Sequence, residues 1–296
     1  MIIATIGPPA SGKTTYYTKN YKDFLYIGSD KIREELYGDE AIQGNPKEVF
    51  DILYSRILKN KEKDIYLDTT LMSKKSQNIF EEFCNKNKIK FKYLIFCKEI
   101  EILLENNKKR ERQVPEEIIL NMVKSFNLPK LKDIEKIIND VDILKIREKC
   151  VGFNQNNPHH NETLDIHMKK TFQWYKELVE PLNIFYRAVF HHDVGKLYTQ
   201  VPNLKNPEFS SYYGHEKAGA YFHLGAYDEK ELIYNYLSSL FIFYHMHEKD
   251  KKLEKRIVEK LGEDFSIMLY FANKIINIET ILNNLRSFFL CDKRRD

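Results

Sequence analysis

Histidine is absent from the first half of this sequence, although nine histidines follow in the second. The first of them is His159 in a chain of 296 residues, so the composition changes near the middle of the chain. Charge changes at the same place, because residues 1–150 hold 28 Lys and Arg against 24 Asp and Glu, whereas the remainder is balanced. The length suits two domains of about 150 residues each. We therefore predict one domain over residues 1–150 and a second over residues 151–296.

Long apolar runs, cysteine pairs and a secretory signal are also missing. No apolar run reaches the roughly 18 residues that a membrane-spanning helix needs, and the N-terminal segment lacks a basic region followed by a cleavage site. The four cysteines form no CxxC pair, which argues against a disulfide framework and a thiolate zinc site. We therefore expect a cytoplasmic protein with reduced thiols and no membrane partner. A net charge of +4 is too small to indicate a nucleic-acid partner by itself.

Short apolar runs alternate with helical patterns through the first half of the chain. We predict buried strands at 2–6, 24–28, 64–68 and 91–97, and helices at 13–21, 30–37, 46–60 and 74–88. This alternation is typical of an α/β domain with a parallel sheet and helices on both faces. A lysine-rich amphipathic stretch at 130–148 is expected to close the domain.

Helical periodicity dominates the second half, after the turn-rich segment NQNNPHHN at 154–161. The predicted helices lie at 162–179, 181–192, 214–223, 229–247, 250–260 and 263–289. These patterns predict an all-α fold for the second domain.

The segment GPPASGKT at 7–14 matches the phosphate-loop pattern GxxxxGK[ST] between a predicted strand and a predicted helix. Its glycines let successive backbone N–H groups face a phosphate, and the following helix adds its dipole. We expect Lys13 to bind the β- and γ-phosphates of ATP or another NTP, and the Thr14 hydroxyl to bind Mg²⁺. The predicted nucleotide-binding residues of this loop are Gly7, Ser11, Gly12, Lys13, Thr14 and Thr15.

Charged residues follow the next predicted strands. Asp30 and Arg33 are three positions apart, so they share one helical face at the carboxyl edge of the sheet, where ligands bind in open α/β folds. Asp30 is either a helix cap or a functional carboxylate. Asp68 ends the third strand as a Mg²⁺ partner, a base or a cap. The basic run NKKRERQVP at 107–115 is either a solvated helix face or a lid over the transferred phosphoryl group.

Together these residues resemble the phage-type polynucleotide 5′-hydroxyl kinase family over about residues 1–148. The resemblance implies that Lys13 and Thr14 bind ATP·Mg²⁺. It also implies that Asp30 accepts the proton of a 5′-hydroxyl and that Arg33 holds the phosphate on the 3′ side of the acceptor. These roles agree with phosphoryl transfer, which mainly needs positioning and charge neutralisation.

The same resemblance assigns the remaining charged residues of the first domain. Asp68 would help to arrange the acceptor site. Arg110, or else Arg112, would contact the γ-phosphate from the lid. The catalytic residues that the resemblance implies are Lys13, Asp30, Arg33, Asp68 and Arg110.

A His-Asp doublet followed by glycine and lysine stands out in the second half, in FHHDVGK at 190–196. Together with YYGHE at 212–216 and YHMH at 244–247, it resembles the HD superfamily of metal-dependent phosphohydrolases. The stretches NNPHHNETLDIHMKK at 156–170 and YYGHEKAGAYF at 212–222 are most similar to the HD domains attached to CCA-adding tRNA nucleotidyltransferases. The match spans about residues 155–290. The metal ligands that it implies are His167, His192, Asp193, His215 and His245, with Asn273 where the family has a further Asp. Such ligands suit Mn²⁺, Ni²⁺, Co²⁺, Fe²⁺ or Mg²⁺.

The two resemblances together imply a bifunctional enzyme that repairs the ends of RNA or DNA. The first domain would phosphorylate a 5′-hydroxyl, and the second would remove a 2′,3′-cyclic phosphate or a 3′-phosphate, so that a ligase could seal the ends. One alternative is a nucleoside or small-metabolite kinase fused to an HD nucleotidase. Another is a kinase with a non-catalytic HD module that binds RNA or dimerises. Asn273 favours the last alternative, because an amide binds a hard cation less well than a carboxylate.

Overall fold

The computed structural model describes residues 1–39, 42, 44–158, 161–180, 183–227, 231–269 and 274–294. The chain folds into two compact units. The first comprises Met1–Val123 with Asp133–Asp140, and the second comprises Lys124–Lys132 with Val141–Asp296. The chain enters the second unit for good after Asp140, which is earlier than the predicted domain boundary between residues 150 and 151. The predicted boundary itself stays a prediction.

Strands and helices alternate along the first unit. The strands are β1 (Ile2–Ile6), β2 (Leu25–Gly28), β3 (Ile65–Asp68), β4 (Phe91–Lys98) and β5 (Ile134–Asp140). The helices are α1 (Lys13–Asn20), α2 (Ser29–Tyr37), α3 (Pro46–Lys59), α4 (Lys74–Lys86), α5 (Ile100–Lys108) and α6 (Glu116–Lys124). The predicted strands and helices of this half are confirmed closely, as is the α/β class.

In the described part of the chain these strands form one parallel sheet of five strands in the order β2-β3-β1-β4-β5. All carboxyl ends of a parallel sheet meet at one edge. The phosphate loop follows β1, Asp30 follows β2, and Asp68 ends β3. Since β2, β3 and β1 are neighbours, the sheet brings these three features to the same edge.

Burial on both faces explains why the strands read as continuous apolar runs. All residues of β1 are buried. The polar Thr5 lies within that strand, and its hydroxyl donates to the Thr69 carbonyl oxygen at 2.7 Å, so its burial leaves the hydroxyl paired. The core around β1 contains Ile3, Tyr66, Leu94 and Phe96.

The strand β5 is absent from the sequence prediction. It occupies the stretch at 130–148 that was expected to be a lysine-rich amphipathic segment, and it pairs with β4 at the edge of the sheet. Its buried residues Ile134 and Ile137 are three positions apart, whereas a regular strand would bury every second residue on one face. The reason is an irregular register beside Tyr93 and Leu94, which shifts the side-chain alternation.

The second unit is mostly helical. Its helices are α7 (Ile143–Glu148), α8 (Leu164–Leu178), α9 (Tyr186–Phe190), α10 (His215–Leu224), α11 (Leu232–Tyr244), α12 (Leu253–Leu261) and α13 (Ile278–Asp292). Its strands form two antiparallel pairs, β6 (Val201–Pro202) with β7 (Ser210–Ser211) and β8 (Ser266–Leu269) with β9 (Lys274–Asn277). The prediction of an all-α fold is therefore wrong for these four segments.

The largest difference lies in the predicted helix at 263–289. Gly262 ends α12 with a φ of 102°, the β8–β9 pair follows, and α13 begins only after Asn277. The Asn277 side chain caps α13 by accepting from the backbone N–H of Thr280 at 2.9 Å. Periodicity does not separate short apolar strands from helix segments, which explains the wrong prediction.

The helix α11 lies in the core of the second unit. Its residues from Asn235 to Tyr244 are all buried, so its apolar side chains are covered by protein. No helix within the described ranges combines the length and the apolar character that crossing a membrane requires.

Candidate functional site

The phosphate loop joins β1 to α1, and its lysine folds back over the loop. Lys13 is buried, and its Nζ donates to the carbonyl oxygens of Gly7 and Pro8 at 3.1 and 2.8 Å. A weaker contact of 3.4 Å joins Lys13 Nζ to Ser11 Oγ. Gly12 precedes α1 at a φ of 94°, a conformation that favours glycine. A loop of this shape at a helix N-terminus is suited to bind phosphate.

Several charged groups lie within electrostatic range of Lys13. Burial lowers the pKa of Lys13, and the carboxylates of Asp68 and Asp30 act against that shift. Arg110 adds to the lowering of the same pKa, so its guanidinium is also near. These electrostatic interactions connect Lys13 with Asp30, Asp68 and Arg110, four residues that the sequence predicts to share one site. Their roles there stay predictions.

Asp68 accepts two hydroxyl hydrogen bonds on the same oxygen. Thr14 Oγ1 donates to Asp68 Oδ2 at 2.7 Å, and the Tyr26 hydroxyl donates to it at 3.0 Å. Burial and the nearby Asp68 carboxylate raise the pKa of Tyr26 well above its ordinary value, so the hydroxyl stays protonated. Hydroxyl and carboxylate oxygens are the ligands that Mg²⁺ prefers, so Thr14 and Asp68 fit this ion. Thr15, in the same turn of α1, is exposed.

Asp30 faces two arginines. Its Oδ1 lies 2.8 Å from Nη1 of Arg33 and 3.0 Å from Nη1 of Arg112. The Asp30 side chain is 43% exposed, whereas the two arginine side chains are 11% and 13% exposed. Among the side chains that the structure describes, Arg33 Nε is buried without a hydrogen-bond acceptor, and Arg112 Nη1 is buried in an ion pair with Asp30. One carboxylate beside two guanidiniums leaves positive charge that an anion such as phosphate can neutralise.

The basic run at 107–115 forms a closed loop after α5. Asn107 Nδ2 donates to the Val114 carbonyl oxygen at 2.8 Å, and Asn107 Oδ1 accepts from the Val114 N–H at 3.0 Å. Asn106 Nδ2 donates to the carbonyl oxygen of Ala10 in the phosphate loop at 3.3 Å. Residues 109–115 are not helical, so they form a loop anchored beside the phosphate loop rather than a helix face. We call this run the lid, and its role over the transferred phosphoryl group stays a prediction.

In the second unit, three buried histidines each turn one nitrogen to the backbone. Nδ1 of His192, His215 and His245 lies 2.8, 2.7 and 2.5 Å from the carbonyl oxygen three residues earlier. A carbonyl oxygen only accepts, so Nδ1 carries a proton, and in the neutral ring Nε2 keeps the lone pair that a metal would bind. His167 Nδ1 lies 3.5 Å from a carboxylate oxygen of Glu162. This orientation is typical of metal-binding histidines.

The Nε2 atoms converge in pairs around Asp193. Those of His167 and His192 are 3.4 Å apart, and those of His215 and His245 are 3.2 Å apart. Asp193 Oδ2 lies 3.4 Å from Nε2 of both His167 and His192. Its Oδ1 lies 3.2 Å from His215 Nε2 and 3.4 Å from His245 Nε2. These two groups, which share Asp193, could each hold a metal ion.

A second carboxylate comes from Asp292, the last residue of α13. Its Oδ1 lies 3.2 Å from His167 Nε2 and 3.3 Å from His192 Nε2. Within the described part of the chain, this oxygen is buried without a hydrogen-bond partner, which a metal ion would supply. The predicted ligand Asn273 lies outside the described residues. The carboxylate at His167 and His192 belongs to Asp292, which sequence reasoning missed.

Lys196 and Gly195 hold the position of Asp193. Lys196 Nζ lies 2.7 Å from Asp193 Oδ2 and donates to Gln155 Oε1 at 2.9 Å. Burial raises the pKa of Asp193, but Lys196 together with His192 and His167 holds that pKa well below its ordinary value. A Cβ at Gly195 would lie 2.1 Å from the His215 carbonyl oxygen, so glycine allows the turn to approach α10.

The donors of this cluster, imidazole nitrogens and carboxylate oxygens, fit divalent transition metals such as Mn²⁺, Fe²⁺, Co²⁺ or Ni²⁺. Two further buried histidines, His191 and His223, lie beside the cluster with ring centroids 5.9 Å apart. Burial lowers the pKa of His191 to about 3, so this ring is neutral.

Comparisons with known proteins find a family model, a curated kinase and a solved kinase structure. A family model described as AAA domain matches residues 2–129. The L-seryl-tRNA(Sec) kinase of Methanococcus maripaludis is 28% identical over 175 residues, which are 53% of this chain and 67% of that protein. Residues 2–129 are a kinase-like phosphate-loop domain. The crystal structure of a gluconokinase from Sinorhizobium meliloti 1021 is similar with 12% identity and a TM-score of 0.31, over 42% of this chain and 74% of that chain.

The kinase-like domain contains functional contacts that motif reasoning misses. Tyr26 lies within a predicted buried strand, so its hydroxyl contact with Asp68 has no signal in the sequence. The sequence places Asn107 among the lid residues, but its side chain joins the two ends of the lid by bonding the Val114 backbone. Arg112 contacts Asp30 rather than the surroundings of Lys13, where Arg110 lies.

Proposed function

We propose that the first unit transfers the γ-phosphoryl group of ATP to a hydroxyl at the 5′ end of a nucleic acid. The observation that carries the proposal is Asp30, a half-exposed carboxylate at the sheet edge with buried guanidiniums of Arg33 and Arg112 beside it. A hydroxyl is a weak nucleophile, and a carboxylate within hydrogen-bond reach accepts its proton as the new bond forms. Lys13 is the nearby cation for the β- and γ-phosphates.

In this reaction one bond to phosphorus forms, one breaks and one proton is transferred. The acceptor oxygen forms a bond to the γ-phosphorus, the bond from that phosphorus to the bridging oxygen of ADP breaks, and the hydroxyl proton passes to Asp30. Lys13 and Arg110 neutralise charge on the transferred group, which is the main requirement of phosphoryl transfer. Mg²⁺ bound at Thr14 and Asp68 would supply further neutralisation of phosphate charge. Asn106 and Asn107 keep the lid at the phosphate loop.

The two arginines favour an acceptor that carries phosphate next to its hydroxyl. A nucleoside would leave Arg33 Nε without an acceptor and the two guanidiniums with one carboxylate to share, whereas a polynucleotide end would supply a further anion. The relative named L-seryl-tRNA(Sec) kinase acts, by its name, on an aminoacyl-tRNA. A hydroxyl on the aminoacyl group of a tRNA is therefore the second candidate acceptor.

The test is transfer of ³²P from γ-labelled ATP to a panel of acceptors. The panel contains 5′-hydroxyl RNA and DNA oligonucleotides, the same oligonucleotides with a 5′-phosphate, seryl-tRNA and free nucleosides. We expect label on the 5′-hydroxyl oligonucleotides alone. Label on seryl-tRNA alone would establish the second candidate, and label on nucleosides alone would refute both.

Variants of the lid refine this test. Arg112→Ala should raise the KM for the oligonucleotide at least about tenfold, since a charge-assisted hydrogen bond contributes about 1.5–3 kcal/mol. Its KM for ATP should change little. Lys109→Ala is the matched control, because Lys109 is an exposed cation of the same loop that pairs with Glu105. Equal effects of the two variants would show that only the overall charge of the lid matters.

We propose for the second unit a metal-dependent phosphohydrolase that removes a 2′,3′-cyclic phosphate or a 3′-phosphate. The support is the cluster in which Asp193 faces His167 and His192 with one oxygen and His215 and His245 with the other. Metal ions bound there would supply Lewis acidity toward a phosphate oxygen. The chain's own residues orient the imidazoles through their Nδ1 protons and keep Asp193 ionised through Lys196. A nucleic-acid end freed of its 2′,3′-cyclic phosphate or 3′-phosphate could then be joined by a ligase.

Phosphate release from oligonucleotides with a 3′-phosphate or a 2′,3′-cyclic phosphate tests this second activity in a series of divalent metals. Activity should require Mn²⁺, Co²⁺, Ni²⁺ or Fe²⁺ and disappear in His245→Ala. His247→Ala is the matched control on the same segment, since His247 is not a member of the cluster. Absence of both bound metal and phosphate release would instead support a non-catalytic module that binds RNA or dimerises.

A further inference from the structure

Tyr26 reaches the nucleotide site along its own strand. Gly28 is the register partner of Asp68 on the neighbouring strand β3, and Tyr26 lies two residues before Gly28 on the same face of β2. A Cβ at Gly28 would lie 2.7 Å from the Tyr26 hydroxyl and 2.9 Å from its ring. The tyrosine ring therefore lies over Gly28 and extends toward Asp68 through space that any other residue would fill.

The hydroxyl at the end of this ring meets a specific acceptor. It donates to Asp68 Oδ2 at 3.0 Å, and Thr14 Oγ1 donates to the same oxygen at 2.7 Å. Two donors on one oxygen fix the rotation of the carboxylate. Neither donor engages Oδ1, so this second oxygen keeps a defined direction.

The surroundings hold the ring in place. Tyr26 contacts Tyr17 with a centroid distance of 4.8 Å and stacks on Tyr66 at 6.5 Å with an interplanar angle of 15°. The Tyr66 hydroxyl donates to the backbone oxygen of Lys13 at 2.8 Å. Two adjacent strands therefore each send a tyrosine hydroxyl to the pair Lys13–Thr14, one through the backbone and one through Asp68.

We propose that Tyr26 is a positioning residue for the binding of Mg²⁺ with the nucleotide, and that Gly28 provides the space that this role requires. The inference rests on the proposed kinase function of the first unit. The Tyr26 hydroxyl acts through Asp68 and Thr14, which carry the oxygen ligands. Loss of the hydroxyl frees the carboxylate to rotate, so the Mg²⁺ ligands are no longer oriented before the ion binds.

Calorimetric titration of the full chain with ATP, in excess Mg²⁺ and in EDTA, measures this effect without any acceptor. Tyr26→Phe should weaken binding of Mg²⁺·ATP about fivefold to tenfold, because a hydrogen bond to a charged group is lost. Binding of ATP in EDTA should not change. Tyr17→Phe is the matched control, since it removes a hydroxyl from the same aromatic cluster that donates to the backbone oxygen of Phe24.

Gly28→Ala provides an independent variant. The variant keeps the Tyr26 hydroxyl, but the added methyl group displaces it from Asp68. Alanine can adopt the extended backbone conformation of Gly28, whose φ is −131°. We expect the same selective loss of Mg²⁺·ATP binding as in Tyr26→Phe, and this variant decides the matter if Tyr26→Phe does not fold. In an Asp68→Asn background, Tyr26→Phe should have no further effect.

The possible failures are distinguishable. If the unaltered chain binds neither Mg²⁺·ATP nor ATP, the proposed kinase function is wrong. If it binds both and Tyr26→Phe behaves like Tyr17→Phe, the inference about Tyr26 is wrong. Equal weakening of both forms of ATP would also overturn it, because a general structural role, rather than orientation of the Mg²⁺ ligands, would then account for the loss.

Discussion

Asp292 Oδ1 lies 3.2 Å from His167 Nε2, although these residues come from the last and one of the first helices of the second unit. The contact brings the end of α13 to the side of α8. It gives the half of the cluster at His167 and His192 a second carboxylate besides Asp193. Two carboxylates with two imidazoles form a fuller set of ligands for a divalent metal than the sequence pattern alone implied.

The first prediction follows from this contact. Asp292→Asn should reduce the metal content of the purified protein, because a neutral amide replaces an anionic ligand. Asn273→Ala should retain the metal content of the unaltered chain. Elemental analysis of both variants by mass spectrometry decides which residue is the ligand, and retention of metal by Asp292→Asn with loss by Asn273→Ala would reverse the assignment.

Asp193 carries the second prediction, because its two oxygens face different pairs of histidines. Asp193→Ala should abolish binding of both metal ions, whereas His245→Ala should lower the metal-to-protein ratio by one ion. Elemental analysis after dialysis against a trace of Mn²⁺ gives the two ratios. A full loss of metal in His245→Ala would mean that the cluster binds a single ion shared by all its ligands.

Gly195→Ala tests the close approach between the Asp193 turn and α10. The added Cβ would meet the His215 carbonyl oxygen at 2.1 Å, so backbone must move. Overpacking of this kind costs about 1–3 kcal/mol, which corresponds to a fall in Tm of roughly 5 °C in a unit of this size. Differential scanning calorimetry measures the change. An unaltered Tm with unaltered metal content would show that the turn and the helix adjust freely.

Asn107 provides a prediction about the lid. Asn107→Ala removes both hydrogen bonds that close the loop at Val114, so the loop should open more often. We expect faster tryptic cleavage among Lys108–Arg112 and a lower kcat for phosphoryl transfer. Gln113→Ala is the control, since Gln113 makes one exposed hydrogen bond within the same loop. Similar cleavage rates for both variants and the unaltered chain would contradict the role of Asn107.

Local patterns account well for the first unit. The motif at 7–14, Asp30 just after β2 and Asp68 at the end of β3 all depend on residues close in sequence. A parallel sheet brings them to one edge by its geometry. The edge strand β5 escapes prediction because an irregular register changes its alternation. The different neighbours of the two arginines, Lys13 for Arg110 and Asp30 for Arg112, are not predicted either. Both arginines lie in a loop whose path depends on the Asn107 contacts.

Predictions for the second unit are less complete. The order of histidines around FHHDVGK identifies His167, His192, Asp193, His215 and His245 as candidates, and the structure brings these five together. Asp292 has no local signal, because one Asp at a helix end is ordinarily a surface residue. The β8–β9 pair and α13 replace one long predicted helix, since short apolar segments fit either structure equally well.

The sequence by itself determined the α/β character of the first unit and the phosphate loop with Lys13, because both depend on spacing along the chain. It also named the histidine candidates, through their resemblance to a known family. Only the tertiary structure decided which oxygen of Asp193 faces which histidine pair, that Arg112 lies at Asp30, and that Tyr26 reaches Asp68 over Gly28. These relationships depend on packing between segments remote in sequence, where a shift of a few ångströms makes or removes a contact. No periodicity or motif records distances of that kind.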